Sequence, residues 1–409
     1  MKIRRAIPPS AAPISLMELM HGFLGIVKKG TEANLEKEIK KYFGTDHVFL
    51  ASSGKAALFL ILTGLNGLTG KKKVIIPAYT CFSVPSAIRL AGLDIVLCDI
   101  VPETLDFDFS RMKSLIDDDT LCVIPTHLFG IPADISRVRE LCEKRKVFVL
   151  EDAAQAMGAV HEGKKLGTLG DVGFFSLGRG KNITCGSGGI IVTSSQEIAA
   201  SIRTKYLELE TVPLVEYMKN ILEIIFLMMF IRPHLFWLPK QLTFLKLGET
   251  RFYRTFPVWK FTGFQAGLLH DWGSKLETLN RKRSTHADDY IKNLGLSGEM
   301  PIYASGYPYN RFPVYVKERS VKDALCESGD WIGITPMYPS PVHRIRELKG
   351  QYAHLNFKGA ESISNTLVTL PTHALLNVRD TLSIQERVRS VYPQGNRTDH
   401  DSQMEVGCH

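Results

Sequence analysis

The sequence predicts an α/β protein, a mixed and mostly parallel sheet with flanking helices, plus a smaller C-terminal α/β domain. Three observations carry this. Between residues 50 and 150, segments of about five β-prone residues alternate with helical patterns, as expected of parallel strands joined by crossover helices. After residue 151, two strands are separated only by a glycine-rich loop too short for a crossover helix, so at least one strand runs antiparallel. Beyond residue 262, a second alternation of helix and strand begins.

Taken in order, strands are expected at 74–77, 95–99, 121–125 and 147–151, with helices near 83–91, 110–116 and 134–145 between them. Pro132 and Asp134 mark the start of the last of these, Asp134 as N-cap. Strands follow at 172–177 and 189–193, then a helix at 196–207. Residues 208–257 form an unusually apolar insert, with ILEIIFLMMFI across 221–231. Its longest uncharged run, 224–231, is far short of the about 20 residues a membrane span needs. An all-round apolar helix must still be covered, by protein or by a membrane surface that Lys219, Arg232, Lys240 and Lys246 would favour, giving peripheral contact through 214–246. The second unit is expected to hold one helix over 263–292, a strand near 311–317, a helix near 319–328 and a final helix over 375–391. The division is therefore 1–260 for the large domain, 261–392 for the small one, and a flexible tail at 393–409.

The 409 residues are 44% hydrophobic and 22% charged, which excludes wholesale disorder. The formal charge of +8 favours anionic partners. The basic runs at 71–73 and 281–283 are too short for a nucleic-acid patch, so no nucleic-acid partner is expected. The 7 cysteines form no C-x-x-C pair, an odd count forbids a full disulfide framework, and no metal site is expected. With no signal peptide evident, a cytoplasmic location is the simplest reading.

Three motifs carry chemistry. Ser53-Gly54-Lys55-Ala56-Ala57 is a small-residue turn entering a helix, whose free N–H groups and positive end can seat a phosphate or simply be a capped start. It is not a Walker A loop, since Phe49 and Ala56 stand where Gly and Ser or Thr are required. Asp152 closes an apolar strand at the edge where open α/β sheets bind ligands. It is either an N-cap or a ligand-facing acid able to hold a pyridinium nitrogen protonated. Lys181 follows 29 residues later in the loop Ser176-Leu177-Gly178-Arg179-Gly180-Lys181-Asn182. Such a lysine attacks an aldehyde when desolvation or a neighbouring cation, here Arg179, frees its neutral amine. In combination, a phosphate seat, a strand-end acid and a loop lysine describe a pyridoxal 5'-phosphate site.

With these residues in view, the chain resembles the DegT/DnrJ/EryC1/StrS sugar aminotransferases over roughly residues 6–390. Further motifs carrying the resemblance are Ile76-Pro77-Ala78-Tyr79-Thr80, His127-Leu128-Phe129-Gly130, Glu151-Asp152-Ala153-Ala154-Gln155, Tyr338-Pro339 with His343, and Leu370-Pro371. The resemblance implies the type I fold of pyridoxal-phosphate-dependent transferases and an aminotransferase acting on a nucleotide-linked keto-sugar with glutamate as amino donor, in polysaccharide or amino-sugar synthesis. It implies that Lys181 bonds the cofactor and carries protons, that Asp152 pairs with the ring nitrogen, and that Gln155 lies near the ring hydroxyl. Gly54, Lys55 and Ser176 would hold the phosphate. It also implies a homodimer with shared active sites. The position that stacks on the ring in many relatives is Cys81, with Phe82 beside it. Where many relatives lend an Asn from the partner subunit, this chain has Val258-Trp259-Lys260-Phe261, with Lys260 as the candidate replacement. Tyr338, His343 and Lys260 are the candidate substrate residues. Other readings are a catalytically inactive sugar-nucleotide-binding regulator and a membrane-associated variant serving a lipid-linked pathway.

Overall fold

A computed structural model describes residues 5–242 and 250–391. The tail expected at 393–409 and residue Lys246 lie outside the described residues. Seven strands form the main sheet: β1 (His47–Ala51), β2 (Lys73–Pro77), β3 (Asp94–Cys98), β4 (Thr120–Val123), β5 (Phe148–Asp152), β6 (Val172–Ser176) and β7 (Gly189–Thr193). Their order across the sheet is β1-β7-β6-β5-β4-β2-β3. The pairs β2–β3, β2–β4, β4–β5 and β5–β6 are parallel, whereas β7 runs antiparallel to both β6 and β1. The mixed sheet follows from the chain itself, because only an antiparallel return can join β6 to β7 through so short a loop.

The helices are α1 (Leu16–Val27), α2 (Thr31–Phe43), α3 (Gly54–Thr69), α4 (Ser83–Leu90), α5 (Phe109–Leu115), α6 (Ile135–Glu143), α7 (Gln196–Leu207), α8 (Leu214–Phe230), α9 (Trp237–Gln241), α10 (Gly263–Leu268), α11 (Trp272–Leu294), α12 (Arg319–Gly329), α13 (Lys358–Thr366) and α14 (Val378–Arg389). Asp134 caps α6 as expected, its Oδ1 accepting the Arg137 N–H at 2.9 Å. Strands β8 (Phe312–Tyr315) and β9 (Leu367–Leu370) pair antiparallel beneath α12 and α13.

The single helix expected over 263–292 is broken. Leu268 ends α10, Asp271 adopts a left-handed conformation at φ 55°, and α11 starts at Trp272. Close packing explains the break. A Cβ on Gly25 would lie 2.1 Å from the Gly263 carbonyl oxygen, and one on Gly267 would lie 2.1 Å from the His21 carbonyl oxygen, so α1 and α10 touch backbone to backbone. The chain must turn before α11 can cross to the second unit, and the apolar periodicity of 263–292 carries no trace of that turn.

The insert helix α8 is not covered on all sides. Ile221 and Ile224 are buried, but Leu214, Val215, Met218, Leu222, Phe226 and Met229 are exposed. No helix among the described residues is long and apolar enough to cross a membrane. All six described cysteines are free.

Candidate active site

The carboxyl ends of β5 and β6 bring two motifs together. Asp152 closes β5 and is 5% exposed. Its Oδ1 accepts the Ala154 N–H at 3.0 Å, while Oδ2 has no hydrogen-bond partner among the described residues. Burial raises the Asp152 pKa, opposed by the positive charge of Lys181, the Ala154 N–H and His127. That opposition places the Lys181 ammonium within electrostatic reach of the acid. The Lys181 amine itself has neither an ion pair nor a hydrogen bond among the described residues. Arg179, expected to repel it, lies 3.9 Å from Glu223 of α8, so its charge is partly offset.

The loop that carries Lys181 is clamped from three distant segments. Ser10 Oγ and Asn310 Nδ2 both donate to the Gly180 carbonyl, at 2.9 and 3.0 Å. Arg283, fully buried, donates to the carbonyls of Lys181 and Ala11 and to Asn280 Oδ1. Sequence reading missed these residues. The signal available was weak: Arg283 belongs to the basic run 281–283, which reads as a solvated helix face.

The expected phosphate seat is compact. Ser53 Oγ caps α3 by accepting the Ala56 N–H at 3.1 Å. A Cβ on Gly54 would lie 2.8 Å from the Ser176 Cβ, so only glycine lets the helix start approach the end of β6 this closely. Ser176 Oγ accepts the Gly178 N–H at 3.3 Å. The Lys55 ammonium sits 4.3 Å from the Tyr253 ring centroid and 4.8 Å from that of Phe256, and burial lowers its pKa. Cys81 Sγ lies 3.3 Å from Thr250 Oγ1. The end of the insert therefore lies across both Lys55 and Cys81, a placement the sequence did not suggest. Phe82, 6% exposed, is the residue preceding α4.

Gln155 links two elements, its Oε1 accepting the Phe129 N–H at 3.2 Å and its Nε2 donating to Tyr338 Oη at 2.9 Å. Phe129 holds a left-handed backbone at φ 61°, which this contact supports. Tyr338 is buried, its ring centroid 5.2 Å from that of Tyr79, and burial pushes its pKa well up. The other two candidate substrate residues are placed differently. His343 Nε2 is paired with Glu361 at 2.8 Å and its ring lies against Phe357. The Lys260 N–H donates to the Glu210 carbonyl at 2.9 Å, and the residue sits in a bridge opposite Ala51.

Residues 24–219 match the DegT/DnrJ/EryC1/StrS aminotransferase family. That match spans a little under half of the chain. The chain's resemblance to known members is partial in sequence and nearly complete in fold. GDP-perosamine synthase of Caulobacter vibrioides is 35% identical over 168 residues, 41% of this chain and 45% of that protein. The chain thus aligns with less than half the length of the first such relatives. UDP-N-acetyl-3-dehydro-alpha-D-glucosamine 3-aminotransferase of Acidithiobacillus ferrooxidans is 27% identical over 82% of each chain. The solved structure of Helicobacter pylori PseC, an aminotransferase involved in the biosynthesis of pseudoaminic acid, superposes with a TM-score of 0.76 over 95% of this chain and 99% of that one, at 16% identity. The mixed, mostly parallel sheet is therefore the fold of that aminotransferase structure.

Proposed function

We propose that the protein is a pyridoxal 5'-phosphate-dependent aminotransferase that moves an amino group from an amino-acid donor, glutamate, to a nucleotide-linked keto-sugar for polysaccharide or amino-sugar synthesis. The observation that carries this is the pairing at the strand ends. Asp152 keeps one carboxylate oxygen open, and the amine of Lys181, without a partner among the described residues, lies within its field.

These residues fit the cofactor. Asp152 would accept a ring N–H, the turn at Gly54 and the Ser176 hydroxyl would hold the phosphate, and Lys181 would bond the aldehyde. When bound, the cofactor supplies an electron sink that stabilises negative charge at the amine-bearing carbon. With the cofactor bound, the open Oδ2 of Asp152 would accept the ring N–H and favour the protonated nitrogen. Lys181 Nζ is the group free to take a proton from the donor carbon and return it to the acceptor. The clamp of Ser10, Asn310 and Arg283 on its loop holds that amine in place.

Incubation with glutamate and a panel of nucleotide keto-sugars should release 2-oxoglutarate, and Lys181→Ala should abolish both this and the cofactor's visible absorbance band. A protein that never acquires the band with added cofactor would instead support a sugar-nucleotide-binding regulator. That second reading is favoured by Lys55 and Cys81, both of which are engaged by the insert.

We further propose a homodimer in the cytoplasm. The exposed apolar rows on α1 (Leu16, Met20, Phe23, Leu24, Val27) and on α8 support the assembly, because both helices flank Phe264. The six free cysteines among the described residues support the compartment. Peripheral membrane contact through 214–246 is the competing role for the α8 face. The division into 1–260 and 261–392 is supported by the completion of the seven-stranded sheet before 260, with α10 and α11 bridging the two units.

A further inference from the structure

We propose that the Lys55 ammonium, held over the Tyr253 and Phe256 rings of the insert, is an anion site that receives the diphosphate of the nucleotide-linked acceptor. The inference rests on the aminotransferase reading and assigns the acceptor a binding side chain.

Lys55 is the second residue of α3, and the segment 250–259 packs against it. That segment is tied down on both sides of the lysine. On one side the Tyr253 N–H donates to Ser86 Oγ of α4 at 2.9 Å, and Thr250 reaches Cys81. On the other, the Trp259 N–H donates to Ser52 Oγ at 3.1 Å and the Ser52 N–H donates to the Trp259 carbonyl at 3.2 Å. Between these ties the ammonium lies 4.3 Å from the Tyr253 ring centroid and 4.8 Å from that of Phe256. Lys55 is half-buried rather than sealed and Tyr253 is 43% exposed, so a ligand can reach the ammonium from the open side of the insert.

The contrast with two other lysines is informative. Burial lowers the pKa of Lys55, Lys165 and Lys322 alike. Lys165 donates to the Tyr42 carbonyl and Lys322 to the Ser364 carbonyl. The Lys55 ammonium has neither a hydrogen bond nor an ion pair among the described residues. Aromatic faces attract its charge but do not take up its three N–H donors as oxygen atoms would. A partly desolvated ammonium in that condition gains from an anion that brings several oxygens, and lysine meets phosphate as a point charge. Two phosphate sources exist in the proposed reaction, the cofactor and the acceptor. The cofactor's phosphate has the seat at Gly54 and Ser176, whose backbone N–H groups and hydroxyl do not need this side chain. The ammonium is drawn aside onto rings that the insert supplies, and what remains for it there is the pair of phosphates that a nucleotide-linked sugar carries.

The test uses UDP and GDP, titrated calorimetrically into the cofactor-loaded protein, with uridine and guanosine as the matching probes without phosphate. Wild type should bind at least one of the two diphosphates. Lys55→Met, which keeps the stem between the rings and loses the charge, should weaken that binding by about 10- to 100-fold, as expected for loss of a charge-assisted contact. Uridine and guanosine should bind it as they bind wild type. Lys55→Arg, which keeps the charge, should retain most of the diphosphate affinity, and Lys55→Gln serves if the methionine variant does not fold. Cofactor content after dialysis, read from the visible band, separates the two phosphate sources and should match wild type in each variant. Binding of neither diphosphate by wild type, or affinity unchanged in the methionine and glutamine variants, overturns the proposal. Loss of cofactor with nucleotide affinity unchanged overturns it too, assigning the ammonium to the cofactor's phosphate. Lys55-dependent diphosphate binding in a protein that transaminates no keto-sugar would leave the site standing and remove the sugar-aminotransferase reading instead.

Discussion

His127 Nε2 donates to Glu151 Oε2 at 2.8 Å, with both side chains fully buried. The direction follows from the other ring nitrogen, where Nδ1 accepts the Ala133 N–H at 3.0 Å and so carries no proton. Glu151 also accepts the N–H groups of Gly167, Leu169 and Gly170. One carboxylate thus ties the start of the 127–133 turn to the glycine loop that leads into β6. Glu151→Gln would aim an NH₂ group at N–H donors whichever way the amide is turned. Urea unfolding at neutral pH should show a loss of about 3 kcal/mol or more. A change under 1 kcal/mol would mean the cluster does not depend on an all-acceptor side chain.

Asp152 is expected to trade stability for function. Its pKa is raised in the folded protein, so the fold binds the proton more tightly than the unfolded chain does. The carboxyl therefore costs nothing well below its unfolded value of 3.8, and the cost grows as pH climbs through the raised folded value. Asp152→Asn keeps the acceptor for Ala154 and should stabilise the cofactor-free protein at neutral pH by about 1 kcal/mol. Turnover should fall by at least about 100-fold. Differential scanning calorimetry and 2-oxoglutarate release measure the two effects; a destabilised variant would contradict the first.

His373 makes acid sensitivity specific to one residue. It is fully buried, donates from Nε2 to the Pro8 carbonyl at 2.8 Å, and burial drops its pKa from 6.5 to about 3. The unfolded chain takes up the proton first, so the stability it confers is complete above pH 6.5 and drains away as pH falls toward 3. His373→Gln should be less stable than wild type at pH 7 yet lose less between pH 7 and pH 4. Parallel acid limbs in guanidinium titrations would rule out this histidine as the source.

The exposed rows on α8 give a test of assembly. Leu222 is 63% exposed and Phe226 is 38% exposed, and neither belongs to a buried cluster. Leu222→Glu combined with Phe226→Glu should convert a dimer to a monomer by light scattering without lowering the thermal midpoint of each chain by more than a few degrees. If the mass is unchanged while flotation with anionic liposomes is lost, the face meets a membrane instead.

The local chemistry of the fold was written in short stretches of sequence. Each strand of the sheet is a run of four or five mostly apolar residues, and the glycine turns after β1 and β6 are local requirements of backbone geometry. Asp152, Lys181 and the turn at 53–57 could therefore be located from the order of residues alone, because strand ends in a parallel sheet fall on one rim. What covers that rim was not legible. Ser10, Asn310 and Arg283 reach the Lys181 loop across more than 100 residues, and no periodicity encodes which carbonyl a distant side chain will meet. The break before Trp272 and the placement of the insert over Lys55 and Cys81 have the same origin, since both are set by backbone contact between elements far apart in the chain.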